Sequence, residues 1–429
     1  MESKEEEWGE TMSELLHYLS PQPASTPVYT KGNFFYRDGE RFLIKGISYI
    51  PPPLNAEQRP PPAQPLYIDP LADDNLGELK KDIPLLRDLG LNTISVYNLS
   101  PSNSHTAALQ LLEQNGIYVL VNIFSSIKPP PDPIVRGRVR FDATSDPKPY
   151  YTLPSILETF RLLDELAEHP NVLGFAVDAE VIVSSSLTPL ATVFRACIRD
   201  SKEFLARRGK RAVPVDVATS QNQSFQHLAV QYFSAGGSGS SSSSEATTPQ
   251  TLETSDVPGR ADFIAYDNWA WAGKSDFQIS GWKNEVEMYE RLTRSPMLFN
   301  AYGTNVSQPR VWDEVLCLYS PDMTGVFSGG FAYTFFECGG RKYGLVKIDA
   351  DGRRKTRNEF NSLRNKFRKV NVRFEDEVAV AERKDFEDWM GDFPELIQGA
   401  TGWLAGKDLP EFPGSWDDAV QAVRDQRPE

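Results

Sequence analysis

Carboxylates and aromatic rings stand where the apolar runs of this chain stop. Asp178 and Glu180 close the run NVLGFAVDAE, Asp216 closes AVPVDVAT, and Asp267 precedes Trp269 and Trp271 in ADFIAYDNWAW. Tyr49, Tyr97, Tyr302, and Tyr333 with Glu337, end other runs of the same kind. Paired carboxylates can divide acid, base and nucleophile roles on a glycosidic bond. Aromatic rings offer flat faces to the C–H faces of sugars, and polar groups beside them meet the hydroxyls. Any one of these rings could equally be core packing; their shared position favours a groove that suits a carbohydrate. One run breaks the pattern. In PMLFNAYGTN an alanine, Ala301, stands where a reactive group is expected.

Eight apolar, β-branched runs, from FLIKGISYI to GGFAYTFFE, alternate with helix-like stretches such as LGELKKDIPLLRDLG and SILETFRLLDELAEH. Near-continuous apolar strands separated by helices mean a parallel sheet covered on its outer face. Eight units over some 300 residues predict an α/β chain folded as a (β/α)8 TIM barrel, whose working residues lie at the carboxyl ends of the strands. A doubly wound open sheet is the alternative, but no GxGxxG follows a strand and no phosphate-binding loop is present. Residues 1–27 read as an acidic tail and 28–366 as the barrel. Within it, 234–259 is a flexible Ser/Gly-rich insertion, and 367–429 forms a charged C-terminal extension.

The net charge of −14 argues against a nucleic-acid partner. No stretch approaches the roughly 18 apolar residues of a membrane span. Cys197, Cys317 and Cys338 have no metal-ligand spacing, and four histidines leave little for zinc, so neither metal nor cofactor is expected. An acidic start without a secretory pattern, a polar end without an anchor tail, and scarce cysteine predict a cytoplasmic location. The alternative is the cell surface or cell wall.

Four longer strings carry a resemblance: YIDPLADDNLGELKKDIPLLRDLGLNTISVY, NVLGFAVDAEV, GKSDFQISGW and SGGFAYTFFECGGRKYGLVKID. In this order they resemble fungal 1,3-β-glucanosyltransferases, glycoside hydrolase family 72, over about residues 29–366. The resemblance implies a retaining transglycosylase on a (β/α)8 barrel, with two glutamates whose carboxyls stand roughly 5–5.5 Å apart. The acid/base falls on Glu180, after Ala179 where the family has Asn. The nucleophile of the family's Ser-Glu-Tyr-Gly segment falls on Ala301. The family's second-strand Arg is Ser95, its fifth-strand Tyr is Val217, and its Asn-Asp pair just beyond is Ser220-Gln221. Its Tyr-Glu-Trp run is Trp269-Ala270-Trp271, and its half-cystines fall on Leu79, Ala108, Ala235, Ala272 and Thr304.

So many departures describe a rewritten centre rather than one lost side chain. The expected function is a catalytically impaired pseudoenzyme that keeps a β-glucan groove lined by Tyr49, Tyr97, Ala179, Trp269, Trp271, Tyr302, Tyr333 and Glu337. One alternative is an active retaining enzyme with Glu180 and a relocated nucleophile, for which Asp178, Asp267 and Glu337 are the candidates. The other is a cytosolic protein-interaction scaffold. The sequons at Asn98, Asn222 and Asn305 are expected to be unused.

Overall fold

Strand parity decides which side chains enter the barrel in this computed structural model, which describes residues 25–52, 68–123, 147, 150–221, 223–235, 259–337, 341–372, 374 and 402–426. Three short strands, β1 (Tyr29–Lys31), β2 (Phe34–Arg37) and β3 (Glu40–Arg41), make an antiparallel sheet ahead of the barrel. The barrel strands are β4 (Ile44–Tyr49), β5 (Thr93–Val96), β6 (Tyr118–Asn122) and β7 (Val172–Ala179). They continue as β8 (Val215–Thr219), β9 (Phe263–Asn268), β10 (Met297–Tyr302) and β11 (Phe327–Ala332). All pair in parallel and in sequence, and β11 closes on β4. The predicted (β/α)8 barrel is the observed fold.

Helices α1 (Leu76–Leu89), α2 (Thr106–Gln114), α3 (Leu153–Leu166) and α4 (Ala191–Arg207) cover the first half of the barrel. The second half carries α5 (Gln223–Ser234), α6 (Trp282–Leu292), α7 (Asp313–Leu318) and α8 (Pro321–Thr324). A short hairpin, β12 (Val346–Ile348) with β13 (Arg354–Thr356), precedes α9 (Asn358–Lys369). Helix α1 stops where Gly90 takes the left-handed conformation.

Two cores divide the strand residues. Leu120, Leu173, Ala176, Ala218, Phe263, Leu298 and Phe331 fill the barrel, joined from below by Phe35 and Phe42 of the first sheet. Phe35 meets Phe263 edge-on at 4.9 Å and Phe42 meets Tyr118 at 5.2 Å, so the amino-terminal sheet plugs the floor. The alternate strand residues, among them Val121, Val177, Tyr266 and Phe299, join the helices in the larger outer core. Leu79 and Ala108, to which the resemblance assigns half-cystines, lie in that core in apolar packing.

Of the C-terminal extension, residues 402–426 lie along the barrel's side. Helix α10 (Trp416–Arg424) stacks Trp416 on Phe412 at 4.0 Å, and Phe160 of α3 stacks on Trp416 at 5.8 Å. Tyr232 of α5 donates to the Gly406 carbonyl at 2.9 Å, and Arg199 of α4 to that of Pro410 at 2.8 Å. Most of the acidic tail, most of the 234–259 insertion, the Asn222 sequon and Cys338 lie outside the described residues. Cys197 and Cys317 are free thiols, and burial pushes Cys197 up to about 12 and Cys317 up to about 11.

The loops after β4 and β5 are joined by a buried ion cluster. His105 Nδ1 lies 2.9 Å from Glu165 and Nε2 3.0 Å from Asp69, whose carboxylate also accepts from the Ser100 amide. Burial alone would lower the imidazole's pKa, but the hydrogen bonds and charges of Asp69 and Glu165 outweigh it and raise it to about 9. This stabilisation is full below the ordinary value of 6.5 and is lost as pH rises through about 9. Urea unfolding should therefore show the wild type losing on the order of 3 kcal/mol across that window. His105→Gln should be less stable at pH 6 and show a much flatter profile.

Candidate active site

At the mouth, the inward positions of the strands are polar. Ser95, Asn122, Asp178, Asp216, Asp267 and Asn300 follow the parity set by the apolar interior below them. Strand β10 carries an irregularity between Phe299 and Ala301, opposite β9. Phe299 and Tyr302 both pack into the outer core although they are three positions apart, an odd step. The extra residue of the bulge therefore leaves both Asn300 and Ala301 on the inner side. Ala301 pairs in register with Asp267 of β9 and belongs to neither hydrophobic core.

Glu180 follows β7 and lies across the mouth from this strand pair. A single amide nitrogen, Asn300 Nδ2, donates to Glu180 Oε1 at 2.9 Å and to Asp267 Oδ1 at 3.1 Å. Sharing one nitrogen keeps the two oxygens within about 6 Å of each other, the sum of these two distances. Asp178 Oδ1 accepts the Glu180 backbone amide at 2.9 Å and stays on Glu180's own wall. Burial first, then the charges of Asp178 and Asp267, hold Glu180 well above the usual carboxylate range, against the pull of Asn300. Burial also raises Asp267 to about 6, with Asp178 adding to it while Asn300 and the Trp269 indole oppose it. Asp178 is likewise raised by burial to about 6. Among the described residues, no cation contributes to any of these three shifts.

Deeper still, Asp216 is fully buried, with neither oxygen in a well-formed hydrogen bond. Burial, then Asp178 and Asp262, push it well above its ordinary value, although the Val177 amide is close enough to oppose this. Its neutral form is thereby favoured at the base of the cluster. Ser95 accepts from Asn122 Nδ2 at 3.1 Å, so a neutral pair fills the place to which the resemblance assigns an arginine.

One wall of the mouth is aromatic. Trp269 meets Tyr333 and Tyr343 at 5.7 Å each, and the two tyrosines meet edge-on at 5.2 Å. All three remain partly exposed. Arg310 fixes the backbone behind them: it donates to the carbonyls of Gly303 at 3.1 Å and Tyr333 at 2.6 Å, and to that of Tyr343. Burial lowers its guanidinium to about 10, which leaves it charged at neutral pH. Gly303 has φ +96°, and a Cβ there would lie 2.2 Å from the Trp312 ring. Only glycine lets the chain leave β10 this way.

Five of the eight expected groove residues are elsewhere. Tyr49 and Tyr302 have outward parity: Tyr49 donates to Asp82 of α1 at 2.7 Å, and Tyr302 packs edge-on to Trp312 at 6.2 Å. Trp271 is buried against Trp282 at 4.9 Å, and Ala179 also lies in the outer core. Glu337 accepts from Arg357 at 2.7 Å and from the Lys342 and Gly344 amides, so it pins its own loop. Tyr97, Trp269 and Tyr333 do belong to the mouth; the charges of Glu180 and Asp267 reach Tyr97, where they add to burial in raising its hydroxyl. Sequence reading missed Asn300, Asn122, Tyr343 and Arg310. Two-residue parity counted from Leu120 and Leu298 would have found both asparagines.

A family model described as Glucanosyltransferase matches residues 19–371. The chain is 31% identical over 360 residues to 1,3-beta-glucanosyltransferase GAS5 of Saccharomyces cerevisiae, covering 83% of this chain and 65% of that protein. It is also 31% identical to 1,3-beta-glucanosyltransferase gas1 of Schizosaccharomyces pombe, over 76% of this chain and 53% of the relative. The chain thus spans less than two thirds of the length of these relatives. Among solved structures, Saccharomyces cerevisiae Gas2p in complex with laminaripentaose matches with a TM-score of 0.70 and 27% identity, over 91% of this chain and 78% of the other.

These findings overturn the cytoplasmic location expected from the sequence. The relatives are 1,3-beta-glucanosyltransferases of Saccharomyces cerevisiae and Schizosaccharomyces pombe, and neither they nor the fold supports a cytoplasmic location. Scarce cysteine does not report a compartment; Leu79 and Ala108 show only that apolar packing fills their places. With most of its length matched by the family model, including all eight barrel strands, the chain belongs to the glucanosyltransferase family.

Proposed function

We propose that this chain binds β-1,3-glucan across the barrel mouth, and that transglycosylation through the family's seventh-strand position is lost. The observation that carries this reading is Ala301, on the inner side of β10 beside an intact aromatic wall. A methyl group cannot attack an anomeric carbon. Loss of a covalent catalyst lowers the rate on the order of 10⁴-fold or more, or roughly 5 kcal/mol of barrier. Meanwhile Trp269, Tyr333 and Tyr343 keep the faces that a sugar ring stacks on. The laminaripentaose complex of Gas2p supports the choice of ligand. The protein-interaction scaffold remains the contrasting reading.

Calorimetric titration with laminaripentaose should give measurable heat, and Trp269→Ala or Tyr343→Ala should weaken binding by about tenfold or more, near 1.4 kcal/mol. No heat at millimolar ligand would instead favour the scaffold. Restoring the glutamate, Ala301→Glu, should recover little transfer between laminari-oligosaccharides. The new carboxylate would join Asp178, Glu180 and Asp267 with no cation among them, and its own ionisation would be suppressed. Full recovery in a chain-redistribution assay would show that Ala301 alone accounts for the loss.

A further inference from the structure

We propose that the nucleophile has moved one strand sideways, from β10 to Asp267 of β9, so that Asp267 and Glu180 form a slow retaining pair. The inference rests on the glucan reading above and names a catalytic residue for the same site. Three observations carry it. Asp267 is the lateral neighbour of Ala301, in register on the adjacent parallel strand. Its carboxylate shares the Asn300 amide with Glu180, which keeps the two oxygens within about 6 Å, a range that includes the roughly 5–5.5 Å spacing of retaining glycosidases. It also stands beside Trp269, the ring of the mouth that a donor sugar would stack on.

The other acids do not meet these conditions. Asp178 is bonded to the Glu180 amide on the same wall, Asp216 is sealed beneath the mouth, and Glu337 is held by Arg357. The unequal environments of the pair also suit the division of labour. Burial and the charges of Asp178 and Asp267 raise Glu180 well above the usual range, which favours its neutral form, while Asp267, raised to about 6, is mostly an anion at neutral pH.

The reaction has two balanced halves. A carboxylate oxygen of Asp267 attacks the anomeric carbon and forms an ester bond as the glycosidic C–O bond breaks. That bond's electron pair stays on the leaving 3-oxygen, which takes the Glu180 proton. Water, or the 3-hydroxyl of a second glucan chain, then attacks the same carbon. It gives its proton to the Glu180 carboxylate, and the ester C–O bond breaks to return Asp267 as an anion. Asn300 positions both carboxylates and touches neither proton.

The test uses 2,4-dinitrophenyl 2-deoxy-2-fluoro-β-laminaribioside, which traps a glycosyl ester because its fluorine slows the second half. The unaltered chain should gain the mass of one fluorolaminaribiosyl group, and peptide mapping should place it on Asp267. This result needs no variant to fold. Asp267→Asn should lose labelling by at least about 100-fold. With 2,4-dinitrophenyl β-laminaribioside and azide, Asp267→Ala should yield the α-glycosyl azide and Glu180→Ala the β-glycosyl azide. A merely structural role for Asp267 would not produce this anomeric split. Binding of laminaripentaose without any covalent label, or a label on another residue, overturns the inference and leaves the glucan reading standing. A silent laminaripentaose titration overturns both.

Discussion

One amide nitrogen holds the mouth of this barrel together. Asn300 Nδ2 donates to Glu180 and to Asp267. Without it, two partly buried acids would face each other with no positive charge to separate them. The surrounding polar layer obeys the same constraint. Asp216 below is forced toward neutrality, and Ser95 and Asn122 satisfy each other instead of presenting a cation. The result is a site that is rich in acid yet carries less charge than its residue count suggests.

The barrel itself was plainly legible in the sequence. Its eight apolar runs and intervening helices are strong periodic signals, and they are decided locally. Glu180, Tyr97, Trp269 and Tyr333 were found from their places at strand ends. Tyr49, Tyr302 and Trp271 were misplaced because proximity to a strand end does not fix a side chain's direction. For Tyr302 the cause is specific: the bulge between Phe299 and Ala301 adds a residue and reverses the parity after it. A bulge leaves no mark in composition. Arg310 was illegible for another reason, since its partners Gly303, Tyr333 and Tyr343 are backbone carbonyls of three separate turns.

The core also holds positions to which the resemblance assigns cross-links. Leu79 and Ala108 are both buried in one continuous apolar core with the helices around them. A packed core supplies stability through many small contacts, so no single one needs to be covalent. The C-terminal residues 402–426 extend that core along the side of the barrel, where Phe412 and Trp416 continue the stack begun by Phe160.

Arg310 has a wider consequence. Because it grips main-chain oxygens, the spacing of the aromatic wall does not depend on which rings are mounted there. Side chains at 333 and 343 are thus tiles on a fixed frame. Such a frame lets a lineage exchange the surface it offers to a ligand, one residue at a time, while the scaffold beneath stays in register. Chemistry can drift at this mouth without the fold having to follow.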